Sequence, residues 1–595
     1  MNTFKTLAVL GAAAPAALFA QGRTAAADPW AALALPRTYT PAPTTAAITA
    51  ADLKSRLYKL ADDSMQGRRA GTEGNRKGVE YIAAEAKRIG LKPAGDNGTF
   101  FQTFQKHFAV RTFDSSRTLA VDGVPLRFWS DFIPRDPGRD VKSLDNAQVI
   151  WGGDWKDSTT VISNAAAAGK LVVITSSVTL PGNPPHVPSR PLVVAHFPSA
   201  AGIAVVALDE IPDSTRGTYR APSGFAEGAA GGPAAANYMY VTRATADRML
   251  GQPIATAAMG ATGKTIAGTF VFQARDQVFE TEAPLRNVVA VIRGSDPALR
   301  DEYVVIGGHN DHIGFASPGA NGRSGAVAHD SMYVVNHLFR KGGADDAPPT
   351  LDAAQQHVVD SILTHVRAMT KGKSARPDSI ANGADDDGTG SVSLLEIGEY
   401  FAKSGIKLKR SLLFVWHVGE ELGLWGSEYF TDHPTVPRES IVAELNIDMI
   451  GRGAAADQTG TSIDGKPLVG GKGYLQVVGS RRLSTELGDL AERVNASGKH
   501  NLKFDYAMDA NGHPQNIYCR SDHYEYARYG IPIAFFTTGG HADYHQVTDE
   551  PQYIDYDHMA QVDSFIADLA RHVADLDHRV AVDKPKPDPH GACRQ

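Results

Sequence analysis

Residues 411–423 read Ser411-Leu412-Leu413-Phe414-Val415-Trp416-His417-Val418-Gly419-Glu420-Glu421-Leu422-Gly423. A short apolar run that switches abruptly to polar residues and glycine predicts a strand buried on both faces, ending in an acidic loop. The pattern recurs on either side. Asn287–Ile292, Tyr303–Ile306, Val442–Ile447 and Ile531–Phe536 are further apolar runs bounded by Gly, Asp or Pro. Helical periodicity alternates with them over 391–403, 422–430, 483–496 and 557–575. Such alternation implies an α/β fold, with a mostly parallel or mixed sheet sandwiched by helices. Sites in these folds form beyond the carboxyl ends of the strands, so the loops after the runs are where chemistry is expected.

Those loops are rich in metal-ligating residue types. Tyr303–Ile306 leads into Gly307-Gly308-His309-Asn310-Asp311-His312, with Asp311 near enough to steady the His309 imidazole. Gly383-Ala384-Asp385-Asp386-Asp387-Gly388-Thr389-Gly390 precedes an apolar-faced helix, and three adjacent carboxylates repel each other unless solvated or neutralised by a cation. After Trp416, Glu420 and Glu421 point in different directions, so that one can bind a metal while the other faces the metal's water. Asp448 ends the run Val442–Ile447, and a carboxylate there is rarely buried unless paired or on a metal. Phe535–Thr538 runs into Gly539-Gly540-His541-Ala542-Asp543-Tyr544-His545. Each loop alone has a bland reading as a capped or solvated turn. Together they bring two His, two Asp and one Glu to the same ends of successive strands. Mixed N/O donors suit Zn²⁺ first, and after it another divalent ion such as Mn²⁺ or Co²⁺. Five ligands exceed one tetrahedral zinc that keeps an open position, but suit two ions sharing a bridging carboxylate.

The rest of the chain bounds the answer. It has 595 residues, a formal charge of −7 and two cysteines, which excludes a disulfide scaffold and gives no drive toward nucleic acid. Cys519 and Cys593 are able to form one bridge, though spacing does not decide it. Lys5, the apolar run Leu7–Ala20 and Ala25-Ala26-Ala27 have the order of a cleavable secretory signal, predicting export to the periplasm or beyond and maturation near Asp28. No later uncharged stretch reaches membrane-spanning length, so no stable membrane insertion is expected. The expected layout is a signal peptide over 1–27, an extended segment over 28–46, an N-terminal part of the catalytic domain over 47–130 and an inserted α+β module over 131–282. The main domain then spans 283–580, with an insertion at 315–380, and a tail follows over 581–595. The module carries short β-rich runs at Ala147–Trp151, Leu171–Thr175 and Ile203–Leu208 and no catalytic constellation.

The ordered motifs His309-Asn310-Asp311, Gly383–Gly390, Gly419-Glu420-Glu421, Asp448 and Tyr544-His545 resemble the M28 family of co-catalytic zinc aminopeptidases. Gln66–Thr72, Ser521-Asp522-His523 and Gly530-Ile531-Pro532 add to the resemblance, which covers roughly residues 50–130 and 283–575. The 131–282 module resembles the protease-associated (PA) domain often inserted in that family. The resemblance implies a zinc exopeptidase fold, two Zn²⁺ per chain and a peptide or protein substrate. It implies that Asp386 bridges the ions, that Glu421 and His545 complete one site, and that His309 and Asp448 complete the other. It also implies that Glu420 is the general base, activating a metal-bridging hydroxide, with Asp311 behind His309.

Some features depart from the compact family pattern. About 70 residues separate Asp311 from Asp386, and this insertion carries His329, His337 and His357, either shaping the cleft or lying on the surface. Arg520 stands where some relatives offer a Tyr hydroxyl, and His541 rivals His545 as a ligand. Alternatives to an aminopeptidase are a carboxypeptidase or a glutaminyl-cyclase-like enzyme of the same fold, and a non-enzymatic binding ectodomain. Oligomeric state and residue preference are not legible.

Overall fold

The computed structural model describes residues 28–114, 119–136, 140–177, 186–212, 215–216, 223–226, 234–315, 327–340, 349–372, 376–591 and 593–595. The expected signal peptide, 1–27, lies outside the described residues. The chain divides into two compact units, one comprising the described residues to Thr103 with Glu282–Gln595, the other Phe104–Thr281.

The first unit is built on a nine-stranded mixed sheet. Its principal strands are β1 (Leu285–Ile292), β2 (Tyr303–His309), β3 (Ser411–His417), β4 (Ile441–Ile447), β5 (Tyr474–Val478) and β6 (Ile533–Thr537). They lie in the order β1-β3-β2-β4-β6-β5. The central four, β3, β2, β4 and β6, are mutually parallel, while β1 and β5 flank them antiparallel. This is the mixed α/β fold expected from the apolar runs, with each predicted strand present.

Period-two alternation sends each strand's residues to two cores. Leu412, Phe414 and Trp416 of β3 face helices α1 (Ala50–Leu60), α2 (Glu73–Ile89), α5 (Gly390–Lys403), α7 (Thr485–Ser497) and α8 (Tyr556–Asp575). Leu413 and Val415 face the opposite layer, where Phe430 of α6 (Trp425–Asp432) and Tyr526 close the core. Two further helices, α3 (His329–Phe339) and α4 (Ala353–Met369), belong to the insertion. No helix among the described residues is long and apolar enough to cross a membrane.

The second unit contains an eight-stranded and a three-stranded sheet. Gln148–Trp155, Leu171–Ser176, Gly202–Val206 and Asn237–Val241 run parallel in sequence. Its boundary differs from the expected 131. His107–Phe113 pairs along its length with Phe272–Val278, and Ala120–Val121 pairs with Thr262–Ala267. The unit therefore begins at Phe104, and the N-terminal part of the main domain ends at Thr103 rather than 130. The composition shift near 131 marked a change of texture inside the unit, whereas its true start depends on pairing with strands more than a hundred residues away.

Asp563 on α8 is buried in the first unit. Burial pushes its carboxyl up to about 8, against the opposing pull of Ser393 and Arg56. The folded state thus holds a proton that the unfolded chain gives up between 3.8 and about 8, so this group makes stability fall as pH rises through that window. Asp563→Asn is expected to remove that slope, raising the urea midpoint at pH ~8 relative to the parent while changing it little at pH ~4. An identical pH dependence in parent and variant would contradict the assignment.

Candidate metal centre

Parallel pairing in register sets the strand ends level. His309 of β2 lies beside His417 of β3, and Gly307 beside Asn446 of β4. Glu420 and Glu421 follow β3, Asp448 follows β4, His545 lies in the loop after β6, and Asp386 occupies the turn that enters α5. All five expected ligands and Glu420 meet in this one place.

Asp386 stands at the middle. Its Oδ1 is 3.2 Å from His309 Nε2, which is 3.7 Å from Asp448 Oδ1. Its Oδ2 is 3.1 Å from His545 Nε2 and 3.5 Å from His312 Nδ1. Glu421 reaches both of those histidines, at 2.9 Å from His545 Nε2 and 2.7 Å from His312 Nδ1. Two donor sets result, His309/Asp386/Asp448 and His312/Asp386/Glu421/His545. The expected ligands are thus brought together, and His312 joins them, a residue whose place in the loop was visible but to which sequence reading gave no role. The rival His541 belongs to neither set, its Nε2 lying 3.2 Å from Asp385 Oδ2.

The neighbours of Asp386 show why the middle carboxylate faces the centre. Asp387 spends its oxygens on the backbone amides of His309, Gly390 and Met449, at 2.8–3.2 Å. Asp385 accepts from the Gly451 amide at 2.7 Å, and Asp549 accepts from the amides of Asp385 and Asp386. Gly308 allows the close approach, because a Cβ there would lie 2.7 Å from the Ile447 carbonyl oxygen and 3.0 Å from Asp387 Oδ2.

Asp311 works differently from the expectation. Its carboxylate stands 3.8 Å from His309 Nδ1, beyond hydrogen-bond reach, and accepts instead from the amides of Gly419 and Glu420 at 2.7 and 3.3 Å. The contact to His309 Nδ1 comes from the Asp311 main-chain carbonyl, at 3.1 Å. Ser521 donates to Asp448 Oδ2 at 2.9 Å and receives from Asn446, which gives the Ser521-Asp522-His523 motif a physical task. Arg68, in the Gln66–Thr72 loop, is fully buried and donates to the carbonyls of Asn310, Asn382 and Gly383, joining the loops of Asp311 and Asp386.

The centre fits a pair of cations. His309 Nε2, His312 Nδ1, Asp386 Oδ2, Glu421 Oε1 and Asp448 Oδ1 are buried and form no hydrogen bond within the protein. Donors held at ~2.0–2.2 Å from a tetrahedral zinc stand ~3.3–3.6 Å from one another, close to the separations here. Electrostatics points the same way. Burial alone would keep His309 neutral, but the carboxylates of Asp448, Asp311 and Asp386 outweigh it and raise its pKa well above the ordinary value. His312 is raised against the same burial by Asp386 and Glu421. Burial pushes Glu420 up, His309 opposes, and the Glu421 and Asp448 charges add to the rise. The place attracts positive charge.

A third set, His329, Asp378 and Glu550, is already closed by Arg376, whose guanidinium contacts Glu550 and lies 2.8 Å from Asp378 Oδ2. This makes it an ion-pair cluster. It also settles part of the insertion's placement. Helix α3 is not a surface decoration, since His329 lies 3.1 Å from Glu550 and His337 lies 3.0 Å from Asp543, both in the loop of His545. His357 on α4 is exposed.

Beside the donor sets lies a cavity of about 300 Å³. Asp386, Glu420 and Asp448 form one end, Met449, Leu468, Met508, Ile517 and Phe535 its apolar walls, and Tyr544 and exposed Arg520 also line it. The disulfide Cys519–Cys593 adjoins Arg520.

A mixed α/β sheet thus carries paired N/O donor sets and a flanking cavity at its strand ends, where sites form in such folds. Residues 359–570 match Peptidase family M28. The chain is 39% identical over 77 residues to leupeptin-inactivating enzyme 1 of Streptomyces exfoliatus, covering 12% of this chain and 18% of that protein. It is 36% identical over 154 residues to a probable leucine aminopeptidase of Arthroderma benhamiae, covering 21% of this chain and 43% of that protein. The matched stretches thus span less than half the length of these relatives. A zinc aminopeptidase structure from Bacillus subtilis superposes with a TM-score of 0.41 at 12% identity, covering 90% of this chain and all of that one.

Removing Arg68 tests whether it ties these loops together. Arg68→Met strands the Leu60, Asn310, Asn382 and Gly383 carbonyls and is expected to cost at least ~1–3 kcal/mol in chemical denaturation, with lower zinc content. Parental stability and zinc content in the variant would contradict that role.

Proposed function

We propose that the chain is an exported zinc-dependent aminopeptidase that binds two ions and removes apolar residues from the free amino terminus of peptides. The observation that carries this reading is the two-sided placement of Asp386, one oxygen toward His309 and the other toward His545 and His312. His309, Asp386 and Asp448 would hold one ion; Glu421 and His545, with Asp386, would hold the other. Zinc bound there would lower the pKa of water and polarise the carbonyl under attack.

The chain's own residues supply the rest. Glu420 lines the cavity with Oε2 4.0 Å from His309 Nε2, remains 13% exposed and is free to accept a proton from the attacking water. It then returns that proton to the leaving amine. Asp311 fixes the Glu420 amide, so the base is held by its backbone as well as by its rotamer. Burial first, with the carboxylates of Asp386, Glu421 and Glu420 adding, keeps the Tyr544 hydroxyl protonated, a donor able to reach a carbonyl oxygen in the cavity. The apolar walls select an apolar side chain beside the scissile bond, in keeping with the leucine aminopeptidases among the relatives. Export is supported by the N-terminal signal pattern and by the Cys519–Cys593 disulfide, a bond that persists in oxidising compartments.

Arg520 at the cavity favours one second reading, a carboxypeptidase that pairs this cation with a substrate carboxylate. Cleavage of a free and an N-acetylated form of one peptide separates the two. Amino acid release from the free form alone is expected, and equal release from both would refute the aminopeptidase reading.

Glu420→Gln is expected to retain zinc while turnover falls by ~10²–10⁴-fold. Parental turnover in the zinc-loaded variant would remove Glu420 from the role of base.

A further inference from the structure

His312 is not accounted for by the two three-membered sets of the proposed function. It follows His309 by three residues, on the loop leaving β2, and its side chain has no exposed surface. Nδ1 stands 2.7 Å from Glu421 Oε1 and 3.5 Å from Asp386 Oδ2, and the ring meets that of His545 edge to face, with centroids 5.6 Å apart. Neither ring nitrogen makes a hydrogen bond within the protein. The ring also has a built seat. Gly383, at φ +58°, opens the turn that carries Asp386, and a Cβ there would lie 2.5 Å from His312 Cγ. A side chain at 383 would displace the imidazole, so the turn that presents Asp386 also accommodates His312.

We propose that His312 is a fourth protein ligand of the Glu421/His545 ion, making the two metal sites chemically unequal. This rests on the two-ion reading of the proposed function. With His312, Asp386, Glu421 and His545 in place, that ion has a complete tetrahedral set, the closed arrangement of ions that are held tightly. The other set, His309, Asp386 and Asp448, keeps three protein ligands and an open position facing the cavity. The first ion taken up and the last removed is the one on His312. The His309/Asp386/Asp448 side would be the one left open to water and to the substrate carbonyl.

Two measurements on the full chain test this without reading activity. Zinc X-ray absorption of the fully loaded parent counts imidazoles. Three histidines over two ions, an average of about one and a half per zinc, is expected, and one per zinc would overturn the proposal. Stepwise Co²⁺ titration of the metal-free parent is expected to give two separable binding steps, the tighter with tetrahedral absorption. In His312→Ala and in His312→Asn the tighter step should weaken by about 100-fold or more and lose its tetrahedral spectrum, while the weaker step stays. Asparagine offers Glu421 an amide donor but is a poor ligand for this ion. A His312→Asn protein with parental affinity and spectrum would show that His312 only positions Glu421, and would overturn the proposal. A parent that never takes up a second ion would overturn the two-ion reading itself, before any variant is compared.

Discussion

Carboxylates crowded into a low-dielectric pocket cannot all remain charged without a cation among them. Asp386, Glu420, Glu421 and Asp448 converge in this way beyond the parallel strands, with His309 and His312 between them. The cluster responds by drawing in positive charge: both imidazoles are raised against the effect of burial, and the Glu420 carboxyl is pushed toward its neutral form. Divalent cations would satisfy the same demand more completely than protons do. The arrangement of the surrounding loops follows from keeping these groups together despite their repulsion.

That task falls on backbone hydrogen bonds and one buried guanidinium. Asp385, Asp387 and Asp549 are as buried as Asp386, yet they accept from main-chain amides and so act as hooks between the loops. Asp311 does likewise for the Gly419–Glu420 turn. Arg68 gathers the carbonyls of Asn310, Asn382 and Gly383 from the opposite side. The sheet supplies the geometry on which these hooks act, because β2, β3 and β4 are parallel and end at one level.

Much of this was legible in the chain. Apolar runs such as Ser411–Trp416 declare buried strands through composition alone, and the structure extends that run by a single residue, to His417. His309, Asp448, His545 and the Glu420–Glu421 pair stood out only together, because all fall at the same ends of successive apolar runs, and the choice of Glu421 as the ligand came through the family resemblance. The choice of Asp386 from three adjacent aspartates came only through the family resemblance, since their separation depends on which amides lie near each oxygen. His312, Arg68 and Ser521 were present in recognised motifs without a role. What they do depends on loops far apart in sequence meeting, as Arg68 does with Gly383. The start of the second unit at Phe104 and the reach of α3 to Asp543 and Glu550 were hidden for the same reason.

The central claim is that Asp386 lies between two cations. Anomalous diffraction at the zinc absorption edge, from crystals of the zinc-loaded protein, tests it most directly. The account requires two peaks ~3.5–4 Å apart, one on the His309/Asp448 side of Asp386 and one on the Glu421/His545 side. A single peak, or two peaks that do not share Asp386, would contradict it.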